Sequence, residues 1–282
     1  MNVKFFRKAA SFVIMLALVV LTGCQAQKQS VMEAKVSAPP SVETMDMAVY
    51  YLKDNNNEMY LVREVHKVPK SSGVARASLN ELILGEPVTP GAFKVLPKDT
   101  KILGIKIENG LATVDFSKEV LKANVGSSGE MLGIVSMVNT LTEFPTIQKV
   151  KFTVEGKDDN SMDWWGHMGL YQQPFKRDLS FIHEPAIWVT SPISNQTVKN
   201  TFKIKGNARV FEAFVSFCLK DTHGNILAKG STRAAAGAPE RGDFEIEVNF
   251  IPSSTGMGQL EVFEESMKDG SPINMVVIPV KW

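Results

Sequence analysis

The chain has 282 residues, 44% hydrophobic and 22% charged, which allows two ordinary globular domains and excludes disorder throughout. Its 31 basic and 30 acidic residues are mixed along the sequence, so it lacks the concentrated basic surface that a nucleic-acid or other polyanion binder needs. Residues 1–23 contain Lys4, Arg7 and Lys8 and no acid; without them 28 basic residues face 30 acidic ones, a balance of about −2.

The first segment has the three parts of a secretory signal. Lys4, Arg7 and Lys8 make a positive start, and Phe12 to Leu21 is an apolar run of about ten residues, too short to span a bilayer comfortably. Leu21-Thr22-Gly23-Cys24 follows and resembles the bacterial lipobox, in which the cysteine is acylated. The expectation is cleavage before Cys24, a lipid on its thiol, and a protein tethered outside the cytoplasm, on the cell membrane or on the outer membrane of a diderm. Residues 24–45 are small, polar and proline-containing, a spacer between lipid and fold. With Cys24 lipidated only Cys218 remains, so no intrachain disulfide is available.

A compact unit is expected over 46–156. Met47–Leu52 and Met59–Val65, separated by Asp54-Asn55-Asn56-Asn57, read as a hairpin. Residues 72–84 carry helical spacing ended by Gly85 and Pro87. Lys101–Glu108 and Leu111–Phe116 flank Asn109-Gly110, the preferred two-residue hairpin loop, and its register pairs Ile107 with Ala112, Ile105 with Val114 and Leu103 with Phe116. Ser127-Ser128-Gly129-Glu130 has capping-box spacing before Met131, Ile134, Val135, Val138 and Leu141. Lys149–Val154 alternates as a strand. The order β-β-α-β-β-α-β predicts an α+β sandwich of a sheet and two helices.

Residues 157–185 lack a regular pattern and read as a domain tail and linker, across which few contacts are expected. From 186 to 282 no helical period appears. Seven strands, near 187–190, 201–206, 213–220, 225–230, 243–250, 258–264 and 274–280, predict an all-β sandwich.

Leu79-Asn80-Glu81-Leu82 to Gly85-Glu86-Pro87, Leu96-Pro97, Gly110 to Ser117, and Phe144-Pro145 to Val154-Glu155-Gly156 together resemble the GerMN domain of sporulation and germination proteins. Ser191-Pro192, Gly206-Asn207-Ala208, Val210-Phe211-Glu212-Ala213, Gly224, Phe244, Glu264-Glu265-Ser266 and Asp269-Gly270-Ser271 resemble the immunoglobulin-like domain found beside GerMN in spore germination proteins. The resemblance implies a role in the envelope or spore, without an assigned enzymatic activity.

The sequence carries no recognisable reactive constellation. The four histidines, at 66, 167, 183 and 223, have no metal-binding spacing, and there is no Cys-x-x-Cys, nucleophile elbow, P-loop or dinucleotide fingerprint. Asp115 reads as a strand-end residue that satisfies backbone N–H groups, Cys218 as an inert thiol, and Arg241-Gly242-Asp243 as a loop entering a strand. Trp164 and Trp165 are candidate glycan contacts, because exposed indoles stack on sugar rings. The sequence therefore points to a non-enzymatic binding or scaffold protein with no metal, cofactor or nucleic acid. Its partners would be an envelope protein or a second copy of itself. A cell-wall glycan or peptide binder is the alternative, and a cell-wall hydrolase stands third.

Overall fold

The computed structural model describes residues 43–167, 169–252 and 254–282; the signal segment, Cys24 and most of the spacer lie outside the described residues. No helix among the described residues is long and apolar enough to cross a membrane.

Strands β1 (Thr44–Asp54) and β2 (Met59–Pro69) pair antiparallel along their whole length, from Thr44↔Pro69 to Asp54↔Met59. Their turn is built by side chains: Asp54 accepts from the Asn56 N–H at 2.8 Å, and Asn55 accepts from those of Asn57 and Glu58 at 3.0 Å. Alternation sends Met47, Val49 and Tyr51 into one core and Tyr50 and Leu52 into another, so β1 has no solvent face along its centre. Helix α1 (Val74–Leu84) buries Ala75, Ser78, Leu79, Leu82 and Ile83, the stripe of a 3.6-residue period. It stops at Gly85, where a Cβ would lie 2.5 Å from the Glu81 carbonyl oxygen.

A short β3 (Ala92–Phe93) pairs with β1 at Leu52 and Lys53 only. Strands β4 (Ile102–Glu108) and β5 (Leu111–Phe116) turn at Asn109-Gly110, both with positive φ, and hold the expected pairs Ile107–Ala112 and Ile105–Val114. The third expected pair is corrected. Phe116 faces Ile102, and Leu103 is the extra residue of a bulge, 50% exposed. Ser117 fixes this end, its N–H donating to the Lys101 carbonyl and its hydroxyl accepting from the Lys101 N–H.

Helix α2 (Ser127–Leu141) buries eleven of its fifteen residues. Its start departs from a capping box: extended Gly126 is the cap, no side chain caps the helix, and Glu130 turns inward to accept from His167. The buried polar residues of α2 have a specific task. Ser136 donates to the Tyr50 carbonyl, and Thr140 accepts from the Tyr50 N–H at 3.3 Å. Because β3 ends short of Tyr50, these two hydroxyls replace the strand missing at that edge.

Strand β6 (Lys149–Val154) runs parallel to β5. Residues 157–185 then build further structure: helix α3 (Asp159–Met162), β7 (Phe175–Lys176) on β6, and β8 (Ile182–Glu184) parallel to β2. The first module thus has two four-stranded sheets, ordered β3-β1-β2-β8 and β4-β5-β6-β7, instead of one. The second is a sandwich. Strands β9 (Ile187–Ser191), β11 (Thr201–Ala208) and β14 (Gly242–Asn249) form one sheet. The other, ordered β10-β16-β15-β12-β13, contains β10 (Gln196–Thr197), β12 (Phe214–Asp221), β13 (Ile226–Arg233), β15 (Met257–Glu265) and β16 (Pro272–Lys281). Ile204, Val215, Leu219, Val248, Leu260 and Val262 fill the space between them.

The expectation of few contacts across the junction is also corrected. Trp188 of β9 is buried in a cluster with Tyr50, Leu52, Leu61, Leu132 and Ile182 of the first module. Truncating so large a buried side chain leaves a cavity as well as losing transfer energy, so Trp188→Ala should cost about 3–5 kcal/mol in urea unfolding. A loss near zero would show that the modules do not depend on this contact. Thr140→Val keeps the volume and strands the Tyr50 N–H, so about 1–3 kcal/mol should be lost by the same measurement.

Candidate functional site

The junction gathers a cluster of arginines around one tryptophan and one carboxylate. Arg63 of β2 lies over the Trp188 ring at 5.1 Å, and Arg241 of the second module lies over it at 4.0 Å. Arg63 and Arg177 both hold the Glu143 carboxylate, to which the Tyr50 hydroxyl also donates. Burial alone would raise the Glu143 pKa, but the two guanidiniums and the hydroxyl bring it down to about 2. Among the described residues Arg241 has no carboxylate partner within ion-pair distance. It donates to the carbonyls of Ile182 and Pro185 and to Asn207 Oδ1, and burial pulls its pKa down to about 9. A guanidinium can be kept here because carbonyls and an indole face solvate it.

Beside this lock lies a cleft of about 510 Å³, walled by Arg63, Glu64 and Val65 of β2, Val88 and Thr89, the Glu184–Ile187 connection, and Asn274–Val276 of β16. Glu184 is held by Lys53 and by the Tyr60 hydroxyl at 2.7 Å. Glu64 accepts from the Val88 and Thr89 N–H groups at 2.8 and 2.7 Å, fixing the loop that forms one rim. Behind it His66 reaches Glu64 with Nε2 and Glu81 with Nδ1, both at 2.7 Å. Burial favours the neutral ring, yet the two carboxylates outweigh it and raise the His66 pKa above its usual value. The cleft has apolar and backbone-fixing groups and can bind; it contains no nucleophile paired with a base.

The residues singled out from the sequence are distributed as follows. Cys24 lies outside the described residues. Trp164 is fully buried, and packs on Phe116 and Phe152. Trp165 is 9% exposed, donates to the Val120 carbonyl and presses on Gly133 of α2, where a Cβ would lie 2.8 Å from its ring. Neither indole offers a face to a sugar, so the glycan-contact expectation is corrected: the pair belongs to the core of the first module. His167 pairs with Glu130, while His183 stacks on Tyr60 and reaches Glu58. Among the described residues no three metal-ligating side chains converge. Asp115 accepts from the Thr153 hydroxyl and the Gly156 N–H, both at 2.7 Å. Cys218 is buried, and that burial raises its thiol pKa.

Arg241-Gly242-Asp243 works internally. Arg241 and Asp243 both bind Asn207, and Gly242 packs where a Cβ would lie 2.1 Å from the Ala236 nitrogen. The junction is not marked by any motif or periodicity in the sequence. One signal was present: Ile187-Trp188 places two large apolar residues in succession on a strand, so one of them must leave the sandwich core.

The His66 clasp sets a pH dependence. A histidine whose pKa is raised on folding contributes stability that is complete below its unfolded value of about 6.5 and is lost as pH rises through the folded value. His183, whose pKa burial lowers, contributes the opposite slope, so in urea unfolding from mildly acidic to mildly alkaline pH the native chain should lose stability relative to His66→Gln as pH rises. An unchanged slope in the variant would rule the clasp out as its source.

Known proteins share both modules. Residues 48–160 match the family model for sporulation and spore germination, and residues 186–271 match that for the immunoglobulin-like domain of bacterial spore germination. The spore germination protein GerM of Bacillus subtilis is 35% identical over 139 residues, covering 48% of this chain and 35% of its own length. This chain therefore spans about a third of that relative. The solved first GerMN domain of GerM is 31% identical, with 48% of this chain covering 96% of it at a TM-score of 0.38. The tandem GerMN domains of the same protein are 25% identical, with coverage of 51% and 48% and a TM-score of 0.40. The chain thus carries a GerMN domain followed by the immunoglobulin-like domain of bacterial spore germination proteins, and through them it is related to sporulation and germination proteins.

Proposed function

We propose that this chain is a lipid-anchored, extracytoplasmic binding or scaffold protein of the bacterial envelope, without enzymatic activity, that serves sporulation or spore germination. The observation that carries the reading is the junction. A GerMN domain and an immunoglobulin-like domain share a buried tryptophan held between arginines from both sides. Two modules joined so firmly present their outer surfaces at a fixed spacing, which suits a component that aligns partners. The lipobox supports attachment at Cys24 to the membrane, and a tether raises local concentration enough for weak contacts to matter. An envelope protein or a second copy of the chain is the partner this reading requires. The glycan-binding alternative loses its platform, because Trp164 and Trp165 are both in the core.

Cys24→Ser should abolish labelling by a fatty-acid probe and release the protein from the membrane fraction. Continued labelling of the variant would refute the anchor. For the binding role, site-specific crosslinking on intact cells should give reproducible protein adducts, while a turnover assay on cell-wall substrates stays at background. Turnover that vanishes in a folded point variant would make the protein an enzyme instead.

A further inference from the structure

Two of the motifs that carry the resemblance in the second module, Val210-Phe211-Glu212-Ala213 and Glu264-Glu265-Ser266, are not used by the junction, and the fold brings them together elsewhere. Val210-Phe211-Glu212-Ala213 forms a tight turn before β12, and Glu264-Glu265 ends β15 beside it. The Phe211 N–H donates to Glu264 Oε1 at 2.8 Å, and Asn274 occupies the other oxygen. Glu212 and Ala213 both adopt left-handed φ, at 48° and 63°, a conformation unfavourable for residues with a Cβ. The surroundings impose it: Gly237 approaches so closely that a Cβ there would lie 2.5 Å from the Ala213 nitrogen, and Ala234 and Ala238 donate to the Ala213 and Val210 carbonyls. The consequence is that Phe211 and Phe214 point outward, 50% and 46% exposed, with Met267 at 76% beside them.

These side chains line a groove of about 290 Å³ together with Glu212, Ser216, Ser231, Glu264 and Glu265. It runs on across the outer sheet face into a second hollow that shares Ser216, Ser231 and Glu265. Three carboxylates meet at the aromatic end, and none of them has a cationic partner within ion-pair distance among the described residues. Of the cations near it, Arg233 lies over one face of Phe214 at 4.6 Å, and Lys229 lines the second hollow, away from the aromatic end. An apolar groove with unneutralised acids and an aromatic ring already stacked by a guanidinium is complementary to a positive, partly apolar chain.

We propose that this groove of the immunoglobulin-like domain docks an extended, arginine- or lysine-bearing segment of a partner protein. The proposal rests on the binding reading above and names the surface that performs it. The apolar part of the segment would cover Phe211 and Met267, and its cation would lie between the free face of Phe214 and the carboxylates of Glu212 and Glu265. Aromatic contact supplies affinity, while the acids select the sign of charge.

The test uses the chain from Gln25 onward and fluorescence anisotropy with a labelled peptide of alternating arginine and valine. Its counterpart with glutamate for arginine, and soluble peptidoglycan fragments, serve as competing probes. The arginine peptide should bind saturably and weaken with salt. The pair Glu212→Gln and Glu265→Gln should weaken it roughly ten-fold, as should Phe214→Ser alone, with melting temperatures unchanged. All three positions lie on the surface, and any variant that fails to melt like the native chain is replaced by Glu212→Gln by itself. Equal binding of both peptides, indifference to the substitutions, or binding of glycan fragments in place of peptide would overturn the proposal. A photocrosslinker at position 214 in cells separates the two levels. Adducts from other surfaces but none from 214 overturn the groove and leave the binding role standing; no adducts from any surface overturn both.

Discussion

The β1–β2 hairpin is the constraint on which the rest of the molecule depends, because its first strand is buried on both faces. Val49 and Tyr51 belong to the core shared with α1, while Tyr50 and Leu52 face α2 and Trp188. A strand covered on both sides also needs its edge groups satisfied, and β3 is too short to pair at Tyr50. The Ser136 and Thr140 hydroxyls of α2 complete that edge. Polar residues in the middle of a buried helix are therefore part of the sheet's hydrogen bonding, and their placement fixes the helix against the hairpin.

The same hairpin explains where the charges sit. Its second face must be closed at Arg63, where the first module ends and the second begins. A guanidinium is suited to that place because it stacks on an indole and binds a carboxylate in its plane at once. Glu143 pairs with Arg63 and Arg177, whereas Arg241 is paired with no acid among the described residues and is solvated by carbonyls. Such a half-buried cation is sensitive to the geometry around it, which ties the loop before β14 to the end of β8. The two modules consequently form one body in which neither surface is completed alone.

For function, this shifts attention from reactive side chains to surfaces. The histidines and Asp115 are each engaged in local contacts, and the paired tryptophans are packing residues. The cleft beside the junction and the aromatic groove on the second module are among the surfaces open to a partner, and both are shaped by loops pinned through backbone hydrogen bonds. The shared domains relate the chain to sporulation and germination proteins, and the match to GerM spans about a third of that relative's length.

The sequence by itself determined the elements whose information is local. Asn109-Gly110 specified a hairpin and the pairs nearest its turn, because positive φ at two positions admits few other loops. Alternation marked seven of the eight strands of the sandwich, missing only the two-residue β10, and the order of motifs pointed to both modules. Only the tertiary structure decided the rest. Leu103 left its expected partner because Ser117 holds Lys101 from the far end of the hairpin, a constraint invisible to a register counted from the turn. Glu130 abandoned the helix start for His167, thirty-seven residues away in sequence. Trp164 and Trp165 looked like surface indoles in an irregular segment, yet irregular backbone can line a core when helix α2 offers Gly133 as a seat. The junction at Trp188 was beyond reach for the same reason: periodicity reports which face of an element is apolar, but not which other module will cover it.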